Sequence, residues 1–316
     1  MDNPEDPPPT YEGAIGRLRN PPVSDGECIY WAAYQDEHLI ASARLSLADG
    51  DNADIARVEV KVHPVYRRRG IGTGLLRAVM PALLETRRGI VVGVAMKPDS
   101  AGASWADLLG FQVTHRTVMQ VLPIDTVPAK LWDVPVPRGY RLTRWIGATP
   151  TELLESYAAA RPAVRDAPMG RSSYRETAWT ALRIRETERE LADRGVENRV
   201  VVAIETATGQ ISGVTGILFY PYRPEFGYQD DTSVVAAHRG HGLGRAMKAA
   251  MVRWVVSERP GMERLMTAIA EENTYMSDVN HAIGYYTART MIWVETTATQ
   301  LADVLASLPT ARSQAD

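Results

Sequence analysis

The sequence predicts an α/β protein made of two similar domains. Its 316 residues fit two domains of ordinary size better than one. A strand, a glycine-rich turn and a helix occur in that order twice, around Arg67–Gly72 and Arg239–Gly244, with the leading arginines 172 residues apart (239 − 67). The glycines of Leu109-Gly-Phe111 and Ile283-Gly-Tyr285 are 174 apart (284 − 110). Two landmarks at nearly one offset indicate a domain duplication.

Hydrophobic periodicity predicts a similar order of elements in both halves. In each half a hairpin precedes the glycine turn, and an amphipathic helix follows it. The predicted hairpin strands are Ile29–Tyr34 with Leu39–Leu45, and Arg199–Glu205 with Ile211–Leu218. The predicted core faces of the two helices are Leu75, Leu76, Val79, Met80, Leu83 and Leu84 in the first, and Met247, Ala250, Met251, Trp254 and Val255 in the second.

The two halves differ at their starts. The second opens with an extended segment, Tyr140–Trp145, and has a charged helix predicted over Tyr174–Asp193. The first has one predicted helix, Tyr11–Leu18, and no room for an opening strand and first helix, so it is either truncated or its start codon is placed too far downstream. Prolines punctuate the stretch between the halves. We therefore predict domains at 1–124 and 139–316, joined by a linker at 125–138.

Composition narrows the class of protein. Hydrophobic residues make up 45% and charged residues 23%, as in folded globular chains. The net charge is −3 and no long basic run occurs, which argues against nucleic acid as a partner. The single cysteine, Cys28, excludes an internal disulfide. No signal-peptide pattern and no apolar run of about 20 residues occurs. We expect a cytoplasmic protein without membrane partners, and the excess of Arg over Lys favours a bacterial source.

Each glycine turn has the features of a phosphate-binding site. A strand that enters a helix through glycine directs several free N–H groups at one place, where the helix dipole adds positive potential. Neither copy has the Gly-Lys-Ser/Thr of a Walker A loop, and neither reads as the G-x-G-x-x-G of a dinucleotide-binding unit. The alternative is a tight strand-to-helix connection without a ligand. Two copies with arginine at the same spacing favour a pyrophosphate cradle.

The repeated motif also resembles that of a known family. R-x-x-G-x-G, present as Arg67-Arg-Arg-Gly-Ile-Gly72 and Arg239-Gly-His-Gly-Leu-Gly244, resembles the acyl-CoA signature of the GNAT acyltransferase superfamily. The Gly-Phe and Gly-Tyr pairs are similar to the family's last helix and strand. The resemblance covers almost the whole chain and implies two tandem GNAT domains. Each would have a mixed, mostly antiparallel sheet of six or seven strands flanked by helices, with the fourth and fifth strands splayed around the pantetheine arm.

The resemblance implies contacts to acetyl-CoA in both halves, and no metal. In the second half the implied residues are Val234, Val235, Ala236, Arg239, Gly240, His241, Gly242, Leu243, Gly244, Arg245 and Asn273. In the first half they are Val60, Val62, Arg67, Arg68, Arg69, Gly70, Ile71, Gly72 and Thr73.

Transfer to an amine needs a base, because an ammonium group has no lone pair. Asp231 and Glu59 lie eight residues before the leading arginines and are the candidates, although each carboxylate has arginines with which it can pair instead. Strand alternation predicts that each points away from its neighbour Thr232 or Val60.

The resemblance implies an asparagine before the last helix and a tyrosine seven residues later, which protonates the departing thiolate. The second half keeps the asparagine as Asn273 but has Asn280 at the tyrosine position. The first half has Asp99 and Ala106. Asn280 can donate a hydrogen bond to sulfur but no proton. Water or another tyrosine would have to supply the proton, and the alternatives are Tyr275, Tyr285 and Tyr286.

The leading hypothesis is an acetyl-CoA-dependent N-acetyltransferase whose second domain is active. We expect direct attack by a primary amine in a ternary complex, a small-molecule acceptor, and a monomer or homodimer. The alternatives are a non-catalytic acyl-CoA sensor or scaffold, and an enzyme that acetylates proteins or peptides. The aromatic stretch Tyr220–Tyr228 is predicted to line the acceptor site or to cap the sheet.

Overall fold

The computed structural model describes residues 10–21, 25–166, 168–176 and 178–309, so the domain ends predicted at residues 1 and 316 lie outside it. Its helices are α1 Tyr11–Arg19, α2 Ile71–Glu85, α3 Ala101–Leu108, α4 Leu154–Ala160, α5 Ala181–Asp193, α6 Leu243–Glu258, α7 Thr274–His281 and α8 Ala298–Ser307. Its strands are β1 Glu27–Gln35, β2 His38–Leu47, β3 Ile55–Val62, β4 Ile90–Met96, β5 Gln112–Pro123, β6 Tyr140–Ile146, β7 Glu197–Glu205, β8 Ile211–Phe219, β9 Phe226–Val234, β10 Arg264–Ala270 and β11 Tyr286–Thr297.

The chain forms two compact units that do not follow a simple division by repeat. The first-repeat unit comprises Ser24–Thr117, Met169–Thr177 and Thr290–Asp316. The second-repeat unit comprises Met1–Val23, Val118–Pro168 and Ala178–Arg289. The last strand of each repeat therefore ends in the unit of the other repeat, as part of β5 and of β11. The continuous boundaries at 124 and 139 stay a prediction about the repeat in the sequence.

The first-repeat unit has a sheet in the order β1-β2-β3-β4-β11. Its predicted hairpin is confirmed, because β1 and β2 pair antiparallel around Asp36-Glu37. One face of this sheet packs on α2, where the predicted side chains are buried except Leu84, which is 50% exposed. Leu84 lies on the solvent side of the last turn of α2, so the predicted core face included one residue too many. Each fully buried side chain of this face contributes about 2 kcal/mol to folding.

The second-repeat unit has the order β6-β7-β8-β9-β10-β5. Antiparallel pairing of β7 with β8 confirms the second predicted hairpin. One sheet face packs on α6 through side chains such as Met247, Met251 and Val255. The other face packs on α4 and α5 through a second cluster that contains Trp145, Tyr157 and Ile184. The prediction of mixed, mostly antiparallel sheets with flanking helices is confirmed in both units. The second unit has six strands, as predicted, whereas the first has five among the described residues instead of six or seven.

The helix predicted over Tyr174–Asp193 is shorter than expected, because α5 begins only at Ala181. Residues 172–176 form neither a helix nor a strand and belong to the first-repeat unit. The Glu295 carboxylate accepts hydrogen bonds from Ser172 Oγ at 2.7 Å and from Ser173 N at 3.0 Å. The side chain of Asn52 bonds both the N–H and the carbonyl of Arg175, each at 2.8 Å. These bonds to residues more than 100 positions away satisfy the backbone groups that a helix would otherwise pair.

Candidate active site

The two glycine turns have the same backbone conformation. Gly70 and Gly242 precede α2 and α6 in the left-handed region, with φ of 77° and 79°. Two positions earlier, Arg68 and Gly240 are also left-handed, with φ of 64° and 78°. Glycine has no Cβ and adopts this conformation without steric cost. The duplication of sequence at the two motifs is therefore also a duplication of local structure.

The leading arginine of each motif fastens the turn to the strand before it. Arg67 Nε donates to the carbonyl of Val62, and Arg239 Nε donates to that of Val234, both at 3.0 Å. Arg239 also forms an ion pair with Asp166. The side chains thus hold the strand end in place. Contact with a phosphate is left to the backbone, as the resemblance implies.

The helices after the two turns start without a side-chain cap. Neither Gly70 nor Gly242 provides a capping hydrogen bond. Five other described helices are capped by side chains, those of Thr10, Ser100, Thr180, Asn273 and Thr297. The N–H groups in the first turn of α2 and of α6 have no partner within their helices, and they lie at the positive end of the helix dipole. An anion such as a pyrophosphate fits this arrangement.

The space in front of the two turns differs. A Cβ built on Gly240, Gly242 or Gly244 meets no other atom within 4 Å, so the second turn is open. A Cβ on Gly72 would lie 3.7 Å from the Trp105 ring and close to Val60 and Val62.

Trp105 also donates its Nε1 to Thr73 Oγ1 at 3.2 Å. An indole therefore lies beside the cofactor residues predicted in the first half.

In each unit two neighbouring strands separate, which confirms the predicted splay: β9 and β10, the fourth and fifth strands of the second repeat, and β3 and β4, the third and fourth described strands of the first. Strand β9 pairs with β10 only over Phe226–Tyr228, and β3 pairs with β4 only over Ile55–Arg57. Beyond these residues, β9 continues to Val234 and β3 to Val62. The edges that open there include the predicted pantetheine contacts.

The second repeat has a β-bulge where β9 leaves β10. Thr232 is opposite Thr215 and Gln229 is opposite Ile217, so Asp230 and Asp231 together face Gly216. The corresponding ladder of β3 and β2 has no shift from Val62 down to Ala56. A bulge turns consecutive side chains to one side of the sheet. Here it brings both carboxylates to the same cation.

That cation is Arg161, which the sequence analysis did not single out. Its guanidinium lies 3.2 Å from the Asp230 carboxylate and 2.8 Å from that of Asp231, and stacks over Trp179 with 4.0 Å between Cζ and the ring centroid. Burial lowers the pKa of Arg161. The neighbouring Tyr157, Asp230 and Asp231 raise this pKa by more than burial lowers it, so it lies above its usual value. With two carboxylates and one guanidinium, the cluster has a formal charge of −1 at neutral pH.

Glu59, the carboxylate at the matching position of the first repeat, lies in an ordinary ladder. It contacts Lys61 at 2.7 Å and Arg44 at 3.5 Å. Arg44 binds mainly the buried Asp25, at 2.8 Å. The first repeat therefore has a single carboxylate at this place, with two cations beside it.

The two predicted asparagines have different surroundings. Asn273 caps α7, since its Oδ1 accepts from Met276 N at 3.1 Å. Asn280 is fully buried, and its Nδ2 donates to Gln120 Oε1 at 2.7 Å. Its Oδ1 has no hydrogen-bond partner among the described residues. A buried amide held by Gln120 is poorly placed to reach a departing thiolate, so the role of Asn280 stays a prediction with little geometric support.

The tyrosines predicted as alternative proton donors also differ. Tyr275 and Tyr286 are exposed, by 58% and 50%, whereas Tyr285 is buried. Burial raises the pKa of Tyr285 well above its usual range, which works against proton transfer from that phenol. Among the three, the exposed pair remain the better candidates.

In the part of the chain that the structure describes, no three His, Cys, Asp or Glu side chains are grouped so that they could hold a metal ion. Within the same residues, every helix is too short or too polar to cross a lipid bilayer.

Comparison with known proteins agrees with the site. The sequence profile of the acetyltransferase (GNAT) family matches residues 2–111 and 165–289, and the chain belongs to this family of acyltransferase enzymes. A curated relative, mycothiol acetyltransferase of Salinispora arenicola (strain CNS-205), is 29% identical over 282 residues, which are 88% of this chain and 83% of the relative.

Solved structures show the same tandem arrangement of domains. A tandem GNAT protein from the clavulanic acid biosynthesis pathway, solved without AcCoA, is 27% identical with a TM-score of 0.75, over 94% of this chain and 90% of that one. A GCN5-related N-acetyltransferase from Sphaerobacter thermophilus is similar in fold, with a TM-score of 0.66 and 17% identity over 90% of this chain and 85% of that one. The prediction of a tandem GNAT protein is confirmed.

Proposed function

We propose that the chain transfers an acetyl group from acetyl-CoA to a primary amine, and that the second repeat is the active half. The observation that carries this proposal is the open glycine turn at Gly240–Gly244 together with the bulge that presents Asp230 and Asp231. The first repeat has neither feature, because Trp105 lies beside its turn and its ladder is unbroken.

The residues of the second repeat divide the work. The backbone from Arg239 to Arg245 would hold the pyrophosphate, and the edge from Val234 to Ala236 would pair with the pantetheine. Acetyl-CoA supplies a thioester whose carbonyl carbon accepts the amine. Backbone N–H groups beside the bulge would stabilise the charge that develops on the carbonyl oxygen. Direct attack in a ternary complex then needs mainly alignment.

Asp231 would take the proton of the incoming ammonium, directly or through one water. The new C–N bond forms as the C–S bond breaks, and the nitrogen gives up its second proton to water. The departing sulfur takes a proton from water or from an exposed tyrosine such as Tyr275. The formal charge of −1 at the cluster of Arg161, Asp230 and Asp231 favours a cationic acceptor in the encounter. The similarity to mycothiol acetyltransferase supports a small molecule as acceptor. We further propose a cytoplasmic monomer or homodimer.

The assignment of the active half is tested with matched substitutions in the two turns. Gly242→Glu places a carboxylate where a pyrophosphate should bind, in a left-handed conformation that suits glycine. We expect kcat/KM for acetyl-CoA to fall by about 100-fold or more, since like charge and strain both oppose binding. Gly70→Glu makes the same change in the first turn and should alter kcat/KM by less than about threefold.

The assay is CoA release with a panel of amines, with circular dichroism to confirm that both variants fold. If Gly70→Glu abolishes turnover and Gly242→Glu does not, the active half is the first repeat. If the unchanged protein binds CoA tightly and acetylates no amine in the panel, the proposal of an enzyme is wrong and the alternative of an acyl-CoA sensor or scaffold is favoured.

A further inference from the structure

A chain of buried and partly buried polar groups lies under the bulge, on the side of the sheet that packs on α6. Lys248 projects from α6, is 2% exposed, and donates from Nζ to Gln229 Oε1 at 2.7 Å. The Gln229 amide nitrogen then donates to Thr215 Oγ1 at 3.0 Å and to the carbonyl of Gly216. Thr215 and Thr232 share a hydroxyl hydrogen bond at 2.7 Å. None of these residues was a predicted site residue.

These groups surround the residues that make the bulge. Gly216 is the residue that the register of β8 and β9 skips, and the Gln229 side chain bonds its carbonyl. Gln229 and Thr232 immediately flank Asp230 and Asp231. The network therefore binds the strand on both sides of the bulge and the residue opposite it.

A lysine at this buried position is unfavourable for the free energy of folding. Burial lowers the pKa of Lys248 to about 7, and Nζ lies 5.3 Å from the centroid of the buried Tyr285 ring. The Tyr285 hydroxyl has no hydrogen-bond partner among the described residues. Burying an ammonium group costs folding free energy that an apolar side chain would not cost. If the contact were purely structural, leucine at this place would give a more favourable folding free energy than lysine.

The first repeat shows the apolar solution. The pairing of β3 with β4 matches Ile55–Arg57 to Phe226–Tyr228, so Val58 corresponds to Gln229. The positions that correspond to Lys248, Thr215, Thr232 and Tyr285 hold Leu76, Ala43, Val60 and Phe111. They belong to the hydrophobic core of their unit, and the ladder above them is unbroken. The polar network and the bulge thus occur together in the second repeat and are both absent from these positions of the first.

We infer that Lys248 and Gln229 are positioning residues that hold the bulge, and with it Asp230 and Asp231, in the geometry that acyl transfer requires. They act through β9 and contact neither substrate. This inference rests on the proposed function for its effect on rate, but the bulge itself is measurable without turnover.

The kinetic test uses Lys248→Met and Gln229→Leu, with Leu76→Met as the matched variant in the first repeat. We expect kcat to fall about tenfold or more in the first two, because small displacements at a reacting centre are costly, while KM for acetyl-CoA stays within about threefold. The double variant should lose no more than the worse single variant, since the two residues act as one unit. Leu76→Met should leave kcat unchanged. An unchanged kcat in Lys248→Met would overturn the inference.

A thermal unfolding measurement separates positioning from simple packing. Lys248→Met removes a buried charge and should keep or raise the unfolding midpoint while kcat falls. A lower midpoint with an unchanged kcat per folded molecule would identify a packing role and overturn the inference. Gln229→Glu sharpens the test, because it still accepts from Lys248 but cannot donate to the Gly216 carbonyl. It should lose kcat like Gln229→Leu.

Hydrogen exchange measured by mass spectrometry tests the bulge without any substrate. In Lys248→Met, the peptide over 226–235 should exchange faster than in the unchanged protein. The peptide over 55–62 of the first repeat serves as a control in the same sample and should not change. Equal exchange rates at 226–235 in both proteins would overturn the inference, even where no amine is acetylated. Failure of the proposed function is seen separately, as absence of turnover in the unchanged protein.

Discussion

The two glycine turns show how far a duplicated motif can agree while its surroundings diverge. Their N-cap glycines differ by 2° in φ, and both leading arginines bind the preceding strand end at 3.0 Å. Around this shared backbone, the first turn has Trp105 beside it and the second is open. The motif therefore specifies a backbone conformation that suits an anion. The neighbouring side chains determine how much room remains for a ligand beside each turn.

The sheet faces next to β3 and β9 differ in a related way. In the second repeat, Val200, Val202 and Val214 form an apolar face that α4 and α5 cover. In the first repeat, the buried Asp25 binds Arg44 and Arg57, and Tyr174 lines a small cavity together with Arg57. In the second repeat the side chains of Asp230 and Asp231 are partly exposed, by 36% and 27%. This difference supports the proposal that the second repeat is the active half.

The largest expected effect comes from Arg161→Met, which removes the cation between Asp230 and Asp231. Two neighbouring carboxylates without a cation resist ionisation, so their pKa values should rise. A base that is protonated at neutral pH cannot accept a proton, so we expect kcat/KM to fall about 100-fold at pH 7. The acidic limb of the pH–rate profile should move to higher pH. Arg161→Lys should retain the position of that limb.

The matched variant in the first repeat is Arg44→Met, which removes a cation from Asp25 and Glu59. It should lower the unfolding midpoint, since Asp25 is 1% exposed and depends on its partners. Its kcat should remain that of the unchanged protein. Equal losses of kcat in the Arg44 and Arg161 variants would remove the distinction between the halves.

A smaller effect is expected from Trp105→Val, which gives the first repeat the residue found at the matching position of α7, Val279. Removing the indole clears the space beside Gly72 and frees Thr73 Oγ1. We expect the first turn to gain about tenfold in affinity for CoA, because a ligand no longer has to displace a packed ring. Native mass spectrometry that counts bound CoA measures the change, from one copy towards two.

The control for this change is Gly70→Glu in the Trp105→Val background. It should remove the added copy of CoA and leave the first one. If the count is the same before and after Trp105→Val, the indole does not limit binding, and another feature separates the two turns.

The sequence was sufficient for the parts of this site that depend on local backbone chemistry. The glycine turns, the hairpins and the splay follow from short motifs and alternation, and they are observed. The bulge was not predictable, because one extra residue in β9 changes register without leaving a local signal. Residues 174–176 were wrongly predicted as helix, because the hydrogen bonds of segment 172–176 lead to Asn52 and Glu295, far away in sequence. Lys248 had one usable signal, a cation on the helix face that also carries Met247 and Met251.

The last prediction concerns the pH dependence of stability, which distinguishes the halves through Lys248. The pKa of this lysine is lowered by burial from 10.5 to about 7. Below pH 7 both folded and unfolded chains bind the proton, so the full cost of the buried charge is present. Between about pH 7 and 10.5 the unfolded chain binds it and the folded chain does not, so stability rises with pH by up to about 1.4 kcal/mol per unit. The nearby Tyr285 titrates above this range. Urea unfolding from pH 7 to 9.5 should show this slope of unfolding free energy against pH in the unchanged protein and in Leu76→Met. In Lys248→Met the slope should be smaller by the contribution of one proton. Identical slopes in all three would mean that Lys248 keeps its proton when buried, and that the two cores differ in polarity without differing in charge.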